Sequence, residues 1–417
     1  NKEPYFVDND SSDNCFIAED FYTPDYFVNK PHKDFLNWHP AYQLAKENKC
    51  IKINENLDVN FGMGQEGYGA VHFAAFDIIN TIKNLILDKI TYVDTKVVDV
   101  KQDMYGITGL VGENGQTYSA DLYLDCTGFR SVLIGDALKV PFQSYTDWLP
   151  CDRAVAMQTE YKNPQEECHP YTKSTAMNAG WRWTIPIFSR IGNGYVYSSK
   201  FITDEEAEQE LRASLNDYTT PVNFVKFRSG RHVDIAYKNV CAVGLSAGFV
   251  EPLEATGITF TTSVVKSVVD LLNGANNVWN NEARFNLNRG FYEMAMEIFA
   301  FVWAHYHYSE RSDTPFWQSI REQKFDELPK DVQFILNQFA PKLGRFMFFS
   351  PGSMFNIVQW FSVLHAGGAY EGVEQRPLTE IEEKYAEYFC DVQSHRVKLA
   401  KELFPNQYDY LQDWYSK

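Results

Sequence analysis

The order of the predicted elements in this 417-residue chain indicates an α/β (α+β) fold with a sheet domain, a β-rich layer and a helical C-terminal part. Apolar residues at spacings of three and four predict a helix at about 70–88, and the alternating β-branched run 90–100 predicts a strand after it. Residues 150–235 are typical of strands, and the pattern from 281 onward is helical. These observations carry the fold prediction.

Two further strands are predicted to be buried and to end in small residues. The first is LYLD, which leads into CTGF and follows a hairpin that turns at Asn114-Gly115. The second lies in NVCAVGLSAG (239–248). A helix at about 256–273 comes next, and Gly274 is predicted to end it.

Composition limits the class of protein and its partners. The chain is 45% hydrophobic, which predicts a globular protein with a large core. Its 55 acidic residues exceed its 38 basic residues and give a net charge of −17. Because such a surface repels phosphate backbones and anionic lipid, we expect neither nucleic acid nor a membrane as the main partner.

The cysteines and histidines argue against a metal or disulfide framework. The seven cysteines are scattered without a C-x-x-C pair, a pattern that favours a reducing cytoplasm. His305 and His307 are two residues apart and would not share one helix face, so no metal site is predicted.

The stretch FGMGQEGYGA (61–70) contains G-x-G-x-x-G at Gly62, Gly64 and Gly67. A dinucleotide-binding turn needs a buried strand directly before it, and the preceding IKINENLDVNF is too polar to form one. We interpret these glycines as a loop before a helix.

Two segments point to a functional site. In AGWRWTIPI (179–187) the tryptophans Trp181 and Trp183 are two apart on a predicted strand and so face the same side, which is also the pattern of a packed aromatic ladder. In AVGLSAGFVEPLEATGITF (242–260) small residues end a strand and a helix begins at Thr256. The free N–H groups of a helix start can bind an anion, and Glu254 beside them is a candidate acid or base.

These segments resemble the flavin-dependent halogenases. GWRWTIP resembles their W-x-W-x-I-P signature, and FVEPLEATGI resembles their halide- and flavin-site segment. DLYLDCTGFR, GNGYVYSSKF, FRSGR and HYSERSDTPFW resemble the tryptophan-halogenase branch, so the likeness extends over about residues 68–320.

The resemblance implies a flavin-monooxygenase-like fold in four parts. Residues 1–150 would form part of the FAD-binding domain with an irregular N-terminal insertion, and 151–235 a β-rich substrate layer. Residues 236–275 would return to the FAD domain with the halide site, and 276–417 would form a helical substrate region.

The activity that the resemblance implies is halogenation of an electron-rich, indole-like ring. Reduced FAD, supplied by a separate flavin reductase, and O₂ would give a flavin hydroperoxide, from which halide forms hypohalous acid. The halogen would then enter the ring by electrophilic substitution. A homo-oligomer is left open.

The resemblance also assigns roles to individual residues. Glu254 matches the catalytic glutamate, and the backbone N–H groups of Thr256 and Gly257 match the halide site. The positions that match cofactor-binding residues are Val97, Leu245 and Ile258. The positions that match the signature near the flavin are Trp181, Trp183, Ile185 and Pro186.

The chain departs from the family in two places. The family's G-x-G-x-x-G turn and essential lysine match nothing here and are expected in a segment upstream of residue 1. In the C-terminal part, Phe355, Trp360 and Phe361 are predicted to sandwich the substrate ring, but the carboxylate that grips a free amino acid is not evident. Ala255 replaces a common hydroxyl.

Two alternatives remain open on the sequence. One is a flavin-dependent aromatic hydroxylase of the same superfold, which the intact tryptophan pair disfavours. The other is a truncated, non-catalytic flavin-fold protein that acts as a binding module.

Overall fold

The structure is a computed structural model that describes residues 26–28, 30–38, 40–50, 72–274, 279–339, 353–372 and 377–416. The glycine-rich stretch from Gly62 to Gly67 lies outside the described residues, so its interpretation as a loop stays a prediction.

Strands occupy the middle of the chain. Their bounds are β1 Val97–Gln102, β2 Ile107–Gly112, β3 Thr117–Tyr118, β4 Tyr123–Asp125, β5 Phe142–Ser144, β6 Arg153–Thr159, β7 Lys173–Met177, β8 Gly180–Ile187, β9 Arg190–Tyr197, β10 Asn223–Lys226, β11 Gly230–His232, β12 Ala236–Tyr237, β13 Val240–Ala242 and β14 Gly248–Phe249.

Helices lie mostly on either side of the strands in sequence. Their bounds are α1 His32–Trp38, α2 Pro40–Lys46, α3 Ala75–Ile86, α4 Pro164–Glu167, α5 Asp204–Leu215, α6 Thr256–Asn273, α7 Asn281–His307, α8 Pro315–Arg321, α9 Lys330–Phe339, α10 Ile357–Ala366, α11 Glu380–Leu403 and α12 Gln407–Tyr415. No helix within these ranges is both long and apolar enough to cross a membrane.

A five-stranded antiparallel sheet forms the β-rich layer, in the order β10-β6-β9-β8-β7. Its longest pairing joins β8 to β9, from Gly180 opposite Tyr197 to Ile187 opposite Arg190. The prediction of a mainly β region at 150–235 is therefore confirmed. The sequence analysis missed α5, although Thr203 and Glu206 form a reciprocal capping box at its start.

A small sheet places two site segments side by side. β4 pairs in parallel with β13, with Tyr123 opposite Val240 and Asp125 opposite Ala242, and β12 joins β13 on the other side. The carboxyl ends of parallel strands meet at one edge of the sheet. The turn CTGF after β4 and the turn VGLS after β13 therefore lie together there.

The helix α7 passes through the core. Its residues from Ile298 to Ala304 are all buried, and the cluster around them reaches Trp181 in the β layer and Trp360 in α10. A helix that is apolar on all sides is typical of such a central position. This helix thus connects the C-terminal helical part to the β layer.

Several local predictions differ from the structure. The helix predicted at 70–88 spans Ala75–Ile86, and none of its residues is buried among the described residues. The strand predicted at 90–100 begins only at Val97. The hairpin at Asn114-Gly115 is confirmed, with Gly115 at φ +78°. Gly274 follows α6 as predicted, but its φ of −69° is not the left-handed conformation of a glycine cap.

Candidate active site

The turn after β13 places Gly244 and Leu245 on the lining of a cleft. Gly244 has φ +68°, a left-handed conformation in which a side chain is strained. Ser246 is fully buried and its hydroxyl hydrogen-bonds the main-chain carbonyl of Asp125 across the two parallel strands. This bond fixes the turn against β4.

Asp125, at the end of β4, holds the chain that follows this strand through hydrogen bonds to its carboxylate. Its buried carboxylate accepts hydrogen bonds from the Thr127 hydroxyl at 2.6 Å and from the N–H groups of Leu133 and Ile134 at 2.8 Å each. These bonds satisfy the first N–H groups of the short helical segment Val132–Ala137. The sequence analysis did not single out Asp125, although it ends the predicted strand LYLD.

A cleft opens between the turn and the start of α6. It is lined mainly by glycine, threonine and apolar side chains. The lining residues are Gly244, Leu245, Gly248, Phe249, Val250, Thr256, Gly257, Phe260, Thr261 and Ile298. Three of the predicted site residues, Leu245, Thr256 and Gly257, are thus brought together, whereas Val97 and Ile258 do not line this cleft.

The helix α6 begins at Thr256 as predicted, and its first turn is left open. Ala255 is the N-cap residue at φ 53°, and no side chain caps the first N–H groups. A Cβ added to Gly257 would meet nothing within 4 Å. An uncapped helix start that faces free space provides N–H donors and a positive dipole end for a small anion.

Glu254 forms a buried carboxyl–imidazole pair just before this helix. Its Oε1 lies 2.6 Å from Nε2 of His305, and the two side chains are 9% and 2% exposed. The other ring nitrogen of His305 lies 2.7 Å from the main-chain carbonyl of Phe301. His305 therefore binds a carboxylate, a role that the sequence analysis, which considered it only for metal, did not predict. Among the described residues the ion-pair partner of Glu254 is this histidine and not a lysine.

A second carboxylate of the same loop, Glu251, is also held from α7. It is fully buried, accepts a hydrogen bond from the Trp181 indole N–H at 3.1 Å, and contacts the Tyr306 hydroxyl. The Cys151 thiol lies 3.3 Å from that hydroxyl. Burial raises the pKa of Glu251 to about 7 even though the bonds from Tyr306 and Trp181 lower it. The sequence analysis missed Glu251.

The signature tryptophans face the same side of β8, as predicted, with ring centroids 6.1 Å apart. Trp183 packs flat on Gly194 of β9, where an added Cβ would lie 2.0 Å from its ring. Ile185 and Pro186 continue the strand, and His72 binds the Pro186 carbonyl at 2.8 Å.

The residues that line the cleft are compatible in chemistry with the ring end of a flavin. Left-handed Gly244 and the open space at Gly257 allow a flat group to approach the backbone, and Leu245 is 42% exposed beside them. Ile258 and Val97 are also exposed, at 60% and 39%, which leaves both available for contact. Their roles in cofactor binding stay predictions.

The three aromatic residues predicted to hold substrate lie in the packed interior. Phe355 is 3% exposed, and Trp360 and Phe361 are fully buried. Phe355 stacks on Phe301 of α7 at 3.9 Å, and Trp360 meets the same ring edge-on at 4.6 Å. This packing favours a structural role, and the substrate role stays a prediction.

The fold and the site together define a mixed α/β protein whose cleft combines small lining residues with an uncapped helix start, next to a loop that carries two buried carboxyl groups. The chain belongs to the tryptophan halogenase family, whose family model matches residues 19–382. The resemblance read from the sequence is thereby confirmed.

Named relatives agree with this assignment. The chain is 32% identical over 364 residues to the 7-chloro-L-tryptophan 6-halogenase KtzR of Kutzneria sp. (strain 744), covering 86% of this chain and 69% of that protein. The crystal structure of the tryptophan 6-halogenase SttH from Streptomyces toxytricini superimposes with a TM-score of 0.80 at 27% identity, covering 94% of this chain and 79% of that one. Xcc4156, a flavin-dependent halogenase from Xanthomonas campestris, gives a TM-score of 0.81 at 25% identity over 95% of this chain and 77% of that one.

The chain is shorter than its relatives. Besides 69% of KtzR, it covers 65% and 50% of two tryptophan 6-halogenases from Streptomyces.

Proposed function

We propose that the protein containing this chain is an FAD-dependent halogenase that places halogen on an electron-rich, indole-like ring. The observation that carries the proposal is the uncapped start of α6 at Thr256, which opens on the cleft beside buried Glu254. When bound, reduced FAD with O₂ supplies the oxidising equivalents that make halide electrophilic.

The start of α6 is proposed to hold the halide. The N–H groups of Thr256 and Gly257 have no side-chain cap, and the helix dipole adds a partial positive charge at the same point. The Thr261 hydroxyl donates a hydrogen bond to the Gly257 carbonyl at 2.7 Å and leaves the N–H group of Gly257 unused. A chloride or bromide ion here would be bound by backbone donors that cannot be lost by titration.

Glu254 is proposed to take the proton that the ring loses. In the substitution a ring C–H bond is replaced by a carbon–halogen bond and the halogen–oxygen bond of hypohalous acid breaks. The hydroxide that leaves becomes water with the one proton that the ring loses. That proton needs a carrier from the ring to the hydroxide, and the Glu254 carboxylate is proposed to serve as one. Among the described residues Oε1 is bound by His305, so Oε2 is proposed as the oxygen for this step.

The tryptophan pair is proposed to separate the aromatic substrate from the flavin. Trp181 is fixed by Glu251, and Trp183 is fixed by its contact with Gly194, so neither ring is free to move aside. Keeping the arene away favours halogenation over direct hydroxylation of the ring.

The remaining parts of the proposal concern organisation and partners. We assign residues 1–150 to the FAD domain, 151–235 to the substrate layer, 236–275 to the halide site and 276–417 to the helical substrate region. A separate flavin reductase would supply reduced FAD. The six cysteines in the described ranges are free, in keeping with a cytoplasmic protein.

Product analysis with reduced FAD, O₂, bromide and indole tests the proposal on the full-length protein. We expect bromoindole, and we expect Glu254→Ala to lower its formation by about 100-fold or more while FAD binding is kept. Glu113→Ala, at an exposed hairpin turn, is the control and should act like the wild type. Hydroxylated indole without any brominated product would refute the assignment and support the hydroxylase.

A further inference from the structure

We propose that His305 is the positioning residue of Glu254, and that the two side chains share one proton that leaves Oε2 alone facing the reaction. This inference rests on the proposed function. It assigns a role to a histidine on α7, a helix of the C-terminal part, in the chemistry of the loop before α6.

The first step concerns which nitrogen of His305 carries hydrogen. A main-chain carbonyl only accepts hydrogen bonds, so Nδ1 of His305, 2.7 Å from the Phe301 carbonyl, must be the N–H donor. The tautomer is thereby fixed by α7 itself. Nε2 then faces Oε1 of Glu254 at 2.6 Å.

The second step counts the protons between Nε2 and Oε1. If neither atom carried hydrogen, two lone pairs would face each other at 2.6 Å in a buried place, which is strongly unfavourable. One proton therefore lies between them. An imidazolium with a carboxylate and a neutral imidazole with a carboxylic acid both satisfy this count, and both leave the pair with no net charge.

The third step concerns what holds the histidine. Phe301 packs edge-on against the His305 ring with centroids 4.8 Å apart, and Phe355 stacks on Phe301 in turn. The next residue of α7, Tyr306, contacts Glu251. Consecutive residues of one buried helix therefore hold both glutamates of the E-P-L-E loop, which fixes the loop that leads to the halide site.

The two carboxylate oxygens of Glu254 therefore have different roles. Oε1 is occupied by His305, so the Glu254 side chain cannot rotate freely, and Oε2 is presented in a single direction. Because a misplacement of about 1 Å can cost a reaction on the order of 100-fold, loss of His305 should damage turnover although it touches no substrate.

The test compares variants of His305 and His307 in the full-length protein. His305→Phe keeps the ring and removes the bond to Glu254, while His305→Gln keeps an N–H donor near the Nε2 position. His307→Phe is the matched control, because His307 lies on the same helix and stacks on Trp303 at 4.1 Å. Steady-state bromination of indole gives kcat and KM, and thermal unfolding reports on folding.

We expect His305→Phe to lower kcat by on the order of 100-fold with KM changed less than about threefold, and His305→Gln to recover about tenfold of that loss. His307→Phe should stay within about twofold of the wild type. Equal kcat for His305→Phe and His307→Phe would overturn the inference. If the wild type itself forms no bromoindole, the proposed function fails instead.

A second measurement does not depend on activity. Nitrogen-15 NMR of labelled histidines reports the protonation of each ring nitrogen. Glu254→Gln should shift the Nε2 signal of His305 and leave the signals of His307 in place. An unchanged His305 signal would overturn the shared proton. This measurement uses Glu254→Gln, so it decides the question even if His305→Phe does not fold.

Discussion

The substitution Glu251→Gln tests whether burial, which raises the pKa of Glu251, outweighs the hydrogen bonds that lower it. Glutamine has the same shape, and its carbonyl oxygen can accept the bonds from Trp181 and Tyr306 that Oε2 accepts now. It does not titrate. The variant therefore removes one pH-dependent term and leaves the packing in place.

The magnitude follows from the pKa of Glu251. It rises from 4.5 to about 7 on folding because burial disfavours the charged carboxylate. A group whose pKa is raised binds its proton more tightly in the folded state, so its stabilisation is full below pH 4.5 and is lost as the pH rises through about 7. At about 1.36 kcal/mol per pH unit the whole effect is about 3 kcal/mol, and most of it falls between pH 5 and 8.

Urea unfolding of the wild type and Glu251→Gln at pH 5, 6, 7 and 8 measures this difference. The free energy of unfolding of the wild type should fall by about 2 to 3 kcal/mol relative to the variant over that range. Glu113→Gln, at an exposed turn, should run parallel to the wild type. Parallel curves for the wild type and Glu251→Gln would refute the raised pKa and the burial argument behind it.

Two further substitutions test contacts in the site. Gly257→Ala fills open space at the start of α6, so we expect unchanged folding but about tenfold weaker bromide binding, the equivalent of about 1.4 kcal/mol, and unaltered bromide titration would contradict the halide site. Gly194→Ala forces a methyl group onto the Trp183 ring and should cost about 1–3 kcal/mol in the free energy of unfolding. Gly192→Ala on the same strand is its control, since the nearest atom lies 3.5 Å away; equal stabilities of the two variants would count against tight packing of Trp183.

Local patterns predicted the elements that depend on neighbouring residues. The helix at 256–273 has apolar residues at helical spacing and begins after a turn, and the structure places α6 at those bounds. The Asn114-Gly115 hairpin and the paired faces of Trp181 and Trp183 follow equally from turn chemistry and from the alternation of a strand. A short-range rule suffices wherever the partner groups are a few residues apart.

Other elements depended on contacts that no local pattern contains. The stripe Phe76, Ile79, Ile82 indicates a buried helix face, yet these residues are 73%, 59% and 51% exposed in α3. The acidic run before Leu211 hid α5, whose buried face is only Ala207 and Leu211. In both cases burial is set by what packs against the helix, and the sequence of the helix does not state that.

The sequence by itself determined the family, the loop that carries Glu254 and the helix start at Thr256, because the segments that define them are contiguous in the chain. Only the tertiary structure decided what those residues contact. His305 lies 51 positions from Glu254 and Tyr306 lies 55 from Glu251, and both pairs meet because α7 crosses behind the loop. Whether a buried carboxylate is paired, and so which of its oxygens is left to react, depends on groups that approach through space.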